Sequence, residues 1–565
     1  MRVSFSRPLK NAAKNSASAE PFGAPFARRA RRAFLRAEVL SCVLARHGYM
    51  SIKVEAFLIF DNWKVVPGLN KTYLAVDLGA TSGRVMAVRF DGERIFVSEV
   101  SRWRSEPLAQ SDGLHWDVNA ILSEIAAGVR KARAQFGDSA VSLAIDSWGV
   151  DYGLLDAAGR LINNPFAYRD ARTRGMQEKV FSKISRDEIY AATGIQFMFF
   201  NTIYQLAAEC ERGVFGSGTD RAKTFLMMPD LLAYMLTGEK RNERTNASTT
   251  QLYNPVLRDW AWNIAEALGV DAEIFSSGFA EAGEQIGALA GRWREELGDL
   301  KVVAAASHDT ASAVAATPSV EKSPVYVNSG TWSLVGIELD APIINAQSLS
   351  ENFTNEVGAE GKIRFLKNVT GMWLVEQCRK SWARSGIDAD YAELEAAARA
   401  CRPFAFIFDP DCADFASPDD MPSAIARHCE RRGRGSPSSP GEFYRAIQES
   451  IALKYACVLD ALERLSGMEI ARINVMGGGS RNAMLNAFVA DASGREVVSG
   501  PVESAAIGNA LVQMKAAGDI SNLRDGRRIV SSSFALGRHI PNAENAAMWN
   551  EARERFAAEC LGKSE

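Results

Sequence analysis

Histidine is scarce and cysteine unpaired in this sequence of 565 residues. The five histidines stand apart at His47, His115, His308, His428 and His539, and none of the eight cysteines falls in a Cys-x-x-Cys pair. Zinc frameworks and disulfide scaffolds need such spacings, so a reduced, cytoplasmic protein is expected. No run of about 18 apolar residues is present, which excludes a membrane-spanning helix. Strong net charge is missing too. The total is −3, but residues 1–50 hold ten Lys and Arg against Glu20 and Glu38, which leaves −11 on the rest. A body of that sign attracts neither nucleic acid nor an anionic membrane. What remains, 47% hydrophobic and 24% charged, is the composition of a folded soluble chain long enough for two or three domains.

Residues 1–70 read as a basic N-terminal extension. The stretch 28–46 is Arg-rich and weakly amphipathic, as a transit peptide can be, but it lacks the short apolar core and small-residue cleavage site of a secretory signal. Organised patterning begins only at Tyr73, so the extension is expected to be a disordered tail, or sequence upstream of a true start near Met50 or later.

From Tyr73 the pattern is a meander of strands at 73–77, 84–90 and 94–98, with Asp91-Gly92 as a hairpin signal. A helix fits 119–136, where Ile121, Ile125 and Val129 recur every fourth residue after a cap at Asp117 or Asn119. Val141–Ile145 suits a strand buried on both faces. The pattern restarts at Val325–Leu339, again strand, small-residue turn, strand. Ser439-Pro440-Gly441-Glu442 is a capping box opening a helix that ends at Gly467. A strand at Ile473–Met476, the turn Gly477-Gly478-Gly479-Ser480 and a helix over 481–492 follow. Each half thus begins with a meander and continues with strand–helix alternation. The reading is a duplicated α/β unit with a boundary near 316–324 and a ligand cleft between its halves.

Four segments can carry chemistry, and a fifth offers a weaker signal. The first is AVDLGATSGRVMAVRF, residues 75–90. Three residues separate its glycines and Arg84 follows, so it is no P-loop; a strand rather than a helix comes next, so it is no dinucleotide fingerprint. Asp77 there is either a turn residue or a carboxylate holding Mg²⁺ beside phosphates, with Thr81, Ser82 and backbone N–H groups as donors. Ser329-Gly330-Thr331-Trp332-Ser333 offers matching donors in the second repeat, and the two turns together could grip a polyphosphate. Ser307-His308-Asp309-Thr310 precedes a small-residue helix, Ala311–Ala316: its members are helix caps, or they bring a carboxylate that takes a proton from a hydroxyl nucleophile. Gly477–Gly479 is a strand-to-helix turn or a surface that lies flat against a nucleotide. Asp146 and Asp151, in IDSWGVD, resemble a glycosidase carboxylate pair only weakly, because nothing fixes their separation.

Taken in order, AVDLGATSGRV, GLHWDV, AIDSWGVDYGLLD, NNPFAYRDART, GIQFMFFNTIYQL, MMPDLLAYMLTG, TNASTTQLYN, ASHDTASAV, SGTWSLVG, TNEVGAEG, FLKNVTGMWL, INVMGGGSRN and SGPVESAAIGN resemble the FGGY family of sugar kinases, within the actin/Hsp70/hexokinase superfamily, over roughly residues 72–545. The resemblance implies an α/β fold of two ribonuclease-H-like (actin-like ATPase) lobes, 71–317 and 325–550, closing around ATP and Mg²⁺. It implies a first phosphate loop at Ala80, Thr81, Ser82, Gly83 and Arg84, further ATP contacts at Thr331, Glu376 and Gly478, and a metal-associated Asp77. Gly149, His308, Asp309, Thr310 and Asn368 are implied to face the sugar, with Asp309 as proton acceptor. The Trp-Gly-Val-Asp and Tyr-Arg-Asp segments favour one subfamily, and that resemblance implies L-rhamnulose as the acceptor, at its C1 hydroxyl; xylulose and L-fuculose are the alternatives within the class. An ATP-driven binding module is the alternative outside it. One position departs from the family pattern: Gln is expected where this chain has Glu376, followed by Gln377. The expected state is monomer or homodimer.

Overall fold

Residues 71–215, 221–416, 418–433 and 435–560 are described by the computed structural model; the expected extension 1–70 lies outside the described residues. The run Lys71–Leu78 (β1) is buried along nearly its whole length, as a strand covered on both faces should be. It pairs antiparallel with Ser82–Phe90 (β2), which pairs antiparallel with Ile95–Arg104 (β3). Asp91 makes the second turn: its Oδ1 accepts from the backbone N–H groups of Glu93 and Arg94 at 3.0 and 2.8 Å, and Gly92 takes φ +101°. β3 runs on to Arg104, past the expected end at Ser98, because this edge strand stays paired with β2 up to the Ser82 turn, across a one-residue register shift at Val100. Its mostly polar outer half hides that extension from a hydrophobic reading.

Asp117 caps Val118–Phe136 (α1) by accepting from Ala120 N–H, and Ile121, Ile125 and Val129 are buried as their spacing predicts. Ala140–Ser147 (β4) then pairs parallel with β1. The described residues between 148 and 284 form short helices and two-stranded pairings before Gln285–Ala288 (β5) and Lys301–Val303 (β6) complete the sheet in the order β5-β6-β4-β1-β2-β3. The small-residue helix Asp309–Ala315 (α2) follows.

The second sheet repeats the plan. Val325–Ser329 (β7) and Trp332–Leu339 (β8) form its hairpin; Thr354–Val357 (β9) and Ile363–Thr370 (β10) extend one side. After Trp373–Arg384 (α3) comes the 27-residue helix Pro440–Ser466 (α4), opened by the Ser439–Glu442 capping box and closed by Gly467 at φ +69°. Arg472–Met476 (β11) and Glu496–Ser499 (β12) run parallel to β7, Ser504–Ala516 (α5) follows, and Gly537–His539 (β13) closes the order β9-β10-β8-β7-β11-β12-β13. The sets β3-β2-β1-β4-β6 and β10-β8-β7-β11-β12 share order and strand sense, three antiparallel and two parallel, which is the duplicated ribonuclease-H-like unit.

α5 does not stay with its own sheet. Its Asn509 and Gln513 amides donate to the carbonyls of Ala144 and Leu74, at 3.3 and 3.0 Å. Ile507, Ala510 and Leu511 join Tyr73, Ala306, Ala311 and Ala315 in one buried cluster. α2 and α5 therefore pack together where the halves meet. Among the described residues, no helix is long and apolar enough to cross a membrane.

Candidate active site

A cavity of about 890 Å³ opens between the two sheets, and both hairpin turns reach it. Each turn is closed by a bond from the N–H of its first glycine, reaching three residues ahead in the first turn and two in the second. Gly79 N–H donates to Ser82 O and Gly330 N–H to Trp332 O, each at 2.9 Å. Each turn is also tied to a neighbour: Ser105 N–H bonds Thr81 O at 3.1 Å, while Gly371 and Trp373 N–H bond Thr331 O at 3.1 and 3.2 Å. Thr81 and Thr331 stand exposed at the two tips.

Of the residues singled out in the sequence, Asp77, Ala80, Thr81, Ser82, Arg84, Gly149, His308, Asp309, Thr310, Thr331, Asn368, Glu376 and Gly478 all line this one cavity. Gly83 does not. A Cβ there would lie 2.2 Å from the Trp103 ring, so this glycine serves the close approach of β2 and β3. Gly478 meets nothing within 4 Å and faces open space, whereas a Cβ on Gly479 would fall 2.0 Å from Ser329 Oγ.

The electrostatics concentrate at the end of β1. Asp77 lies opposite Arg84 in one register and Asp146 in the other. The Arg84 guanidinium bridges Asp77 and Glu503, tying the first sheet to the start of α5. Asp146 is fully buried; burial and the neighbouring Asp77 push its carboxyl well above the usual range. Its Oδ2 accepts from Asn509 at 2.6 Å, while its Oδ1 has no hydrogen-bond partner. Asp309 is also raised, by burial and by Asp77. Carboxylates that repel one another around an unsatisfied buried oxygen suit a hard divalent cation, and Asp77 and Asp146 fit one.

Asp309 is the first residue of α2, and its Oδ1 accepts from Thr310 Oγ1 at 3.1 Å. Thr310 in turn accepts from Asn328 of β7 at 3.1 Å. Asn368 on β10 reaches the first half of the chain through Gln196, whose Oε1 accepts from its N and Nδ2 at 2.9 and 3.0 Å. Gly149 is required by Thr249, which a Cβ would meet at 2.9 Å. The next residue, Val150, holds φ +69°, unusual for a β-branched side chain. Three hydrogen bonds keep it there: its N–H donates to Thr249 Oγ1 at 3.0 Å, and its carbonyl accepts from Thr202 and Gln205 at 2.7 and 3.2 Å. Strain held this firmly beside a cavity marks a shaped wall.

Glu376 lines the cavity but is engaged by the Tyr391 hydroxyl and, at 3.4 Å, by Arg379; Gln377 lines the cavity beside it. Its charge is therefore partly compensated within α3 and its surroundings. Asp151 is absent from the cavity wall. Its Oδ2 accepts from the indoles of Trp116 and Trp148 at 2.7 and 2.8 Å and from Tyr168 N–H at 3.1 Å, and its Oδ1 from Gln205 at 3.2 Å. Burial pushes its carboxyl up to about 6 from 3.8. The proton is thus bound more tightly in the folded chain, and the associated stability is complete below pH 3.8 and lost as pH rises through about 6. Relative to Asp151→Asn, wild type should lose about 2–3 kcal/mol between pH 4 and 7, read from urea midpoints.

Sequence reasoning assigned no role to Tyr168, Arg169, Gln196 or Glu356, which also line the cavity. All four sit inside quoted motif segments; the signal was the crowding of polar and aromatic side chains in stretches without periodicity.

Comparison with known proteins agrees with this geometry. Residues 72–316 match the N-terminal domain and residues 325–517 the C-terminal domain described as the FGGY family of carbohydrate kinases. The chain is 42% identical over 490 residues to a rhamnulokinase of Bacteroides thetaiotaomicron, covering 86% of this chain and 99% of that protein. It is 38% identical over 470 residues to a rhamnulokinase of Halalkalibacterium halodurans, covering 83% and 98%. Among solved structures it resembles a ligand-bound xylulose kinase from Lactobacillus acidophilus at TM-score 0.71 and 15% identity, covering 86% and 97% of the two chains. Plasmodium falciparum glycerol kinase with ADP follows at TM-score 0.68 and 14% identity, covering 87% and 99%. At that identity the structures speak for the fold alone, the one built here from two sheets of matching strand order. With both domains matched in sequence and near-full-length relatives, the chain belongs to the FGGY family of carbohydrate kinases.

Proposed function

We propose that this chain transfers the γ-phosphoryl group of ATP to the C1 hydroxyl of L-rhamnulose, giving L-rhamnulose 1-phosphate and ADP in L-rhamnose catabolism. The observation that carries the reading is the single cavity shared by Asp309, both hairpin turns and Gly478. The choice of ketose is supported by the relatives named rhamnulokinase at 42% and 38% identity. Residues 71–317 serve as the lobe for sugar and phosphates, with the base at its end, and 325–550 as the nucleotide lobe. The enzyme works in the cytoplasm, as a monomer or homodimer.

Phosphoryl transfer of this kind has a loose transition state, so alignment and charge compensation dominate. Ala80, Thr81 and Ser82 offer backbone and hydroxyl donors from the first turn and Thr331 from the second. Arg84, already paired, keeps Asp77 and the start of α5 in place behind them. Gly478 lies against the nucleotide, where it leaves open space. Gly149, His308, Thr310 and Asn368 orient the sugar. Asp309 takes the proton of the C1 hydroxyl as that oxygen bonds the γ-phosphorus and the bond to the β–γ bridging oxygen breaks; the electron pair leaves with ADP and the proton later passes to water. Asp77 and Asp146 would hold Mg²⁺, which supplies charge neutralisation to the phosphates when bound. The α2–α5 contact joins the two lobes, and their closing over the bound substrates keeps water from competing for the phosphoryl group.

A coupled ADP-release assay over L-rhamnulose, D-xylulose and L-fuculose tests the proposal. The kcat/KM for L-rhamnulose should exceed the others by at least about tenfold. Preference for another ketose would replace the substrate and keep the reaction class. ADP release indifferent to all three would remove ketoses as the acceptor and overturn the proposed reaction.

A further inference from the structure

Behind His308 lies a buried ion pair that the reaction so far leaves without a task. Glu356 of β9 and Arg364 of β10 face each other directly in the antiparallel register. Arg364 is 0% exposed and Glu356 5%, and Arg364 Nη2 stands 2.9 Å from Glu356 Oε2. The same Nη2 is 2.9 Å from His308 Nδ1, and Arg364 Nε donates to Val357 O at 3.2 Å. A full charge placed this deep is costly unless paired, and removing one partner of such a pair is strongly destabilising. Here the pair ends on the ring beside the proposed base.

The contact has one chemical consequence. Every guanidinium nitrogen carries hydrogen and none accepts, so Arg364 Nη2 can bond His308 Nδ1 only if that nitrogen presents a lone pair. The proton of the neutral ring then sits on Nε2, which lies 3.5 Å from Asp309 Oδ1. Glu356 Oε2 is the competitor. It lies 3.3 Å from the same Nδ1 and would draw a proton onto it if Arg364 were absent. The backbone of His308, meanwhile, belongs to the first half: it bridges to Ser147 at the end of β4, and its N–H donates to Thr245 Oγ1 at 3.2 Å. The ring is thus carried by one lobe and oriented by the other.

Resting on the kinase reading above, we propose that Arg364, with Glu356 as its counter-ion, is a positioning residue: it holds His308 in the Nε2–H tautomer, so that the ring presents a hydrogen-bond donor to Asp309 and the sugar when the second lobe is seated on the first. A ring flipped to the other tautomer would turn a lone pair toward the Asp309 carboxylate and repel it, and the base would lose its alignment with the hydroxyl. The arrangement gives the second lobe a direct hold on catalytic geometry, separate from its contacts with nucleotide.

The test reads the tautomer itself. The full chain is labelled with ¹⁵N-histidine, which gives only five rings to resolve, and the His308 signals are assigned by their loss in His308→Asn. In wild type near neutral pH, without ATP or sugar, Nδ1 should show the shift of a bare ring nitrogen and Nε2 that of a protonated one. Arg364→Lys, which keeps a cationic donor, should preserve that pattern and hold kcat within about tenfold of wild type. Arg364→Met should move a proton onto Nδ1 and lower kcat about a hundredfold, with the KM for ATP changed less than about threefold. A wild-type ring protonated on Nδ1 overturns the proposal, and so does an Arg364→Met protein that folds and keeps the original pattern. Should Arg364→Met fail to fold, the wild-type and Arg364→Lys spectra decide. Because the spectra need no substrate, a wrong kinase reading would show only in the ketose assay and leave the tautomer result standing.

Discussion

Asp309→Asn lowers kcat by roughly 10²–10⁴, the usual worth of a positioned general base, while sugar binding persists. The substitution is close to isosteric. Its amide oxygen can still accept from Thr310 Oγ1, which bonds Asp309 at 3.1 Å, so the start of α2 should keep its shape. What disappears is the ability to take the hydroxyl proton, and with it the repulsion from Asp77 that helps burial raise the Asp309 pKa. That raised pKa also gives a sign to the pH profile. The base must be ionised to work, so activity should rise with pH through a midpoint above the ordinary aspartate value of about 3.9. Steady-state kinetics with a sugar-binding titration checks both parts; a loss below about threefold would take Asp309 out of the base's role.

Gly508→Ala acts through packing rather than chemistry. A Cβ at Gly508 on α5 would lie 1.7 Å from the carbonyl oxygen of Ser312 and 2.6 Å from its carbon. Those are backbone atoms of α2, so no side chain can rotate out of the way. The helices must separate, and Asp309, one turn before Ser312, moves with α2. Overpacking of this kind costs about 1–3 kcal/mol and sometimes more. A drop in the urea midpoint at the upper end of that range is expected, together with at least about a tenfold loss of kcat from the displaced base. An unchanged midpoint with full activity would show that the two helices do not meet at Gly508.

The strand–turn–strand units were legible because their causes are local. Continuous apolar runs marked β1, β4 and β7, the four-residue spacing of Ile121, Ile125 and Val129 marked α1, and Ser439 with Glu442 marked the start of α4. Boundaries slipped where local cues faded. β3 extends through polar residues because it follows its partner, and a short turn at Gly478–Arg481 precedes the helix expected at 481, which begins at Ala483 under an Asn482 cap. Residues 148–284 were almost blank to periodicity: their helices and strands are short, and hydrogen bonds such as those holding Val150 set their course.

The two-fold plan, the paired turns, the place of Asp309 at a helix start and, through the motifs, the family are all written in the order of the residues. Each depends on residue types a few positions apart, whose preferences act before any long-range contact forms. Folding was needed to show that Arg84 is shared between Asp77 and Glu503, the latter 419 residues away, and that Gly83 serves Trp103. It alone brought Arg364 to His308, 56 residues distant, and laid α5 across the first sheet. A local pattern records what a residue prefers. Which partner satisfies that preference is decided by burial, where an unpaired charge or a misplaced methyl group is too costly to keep.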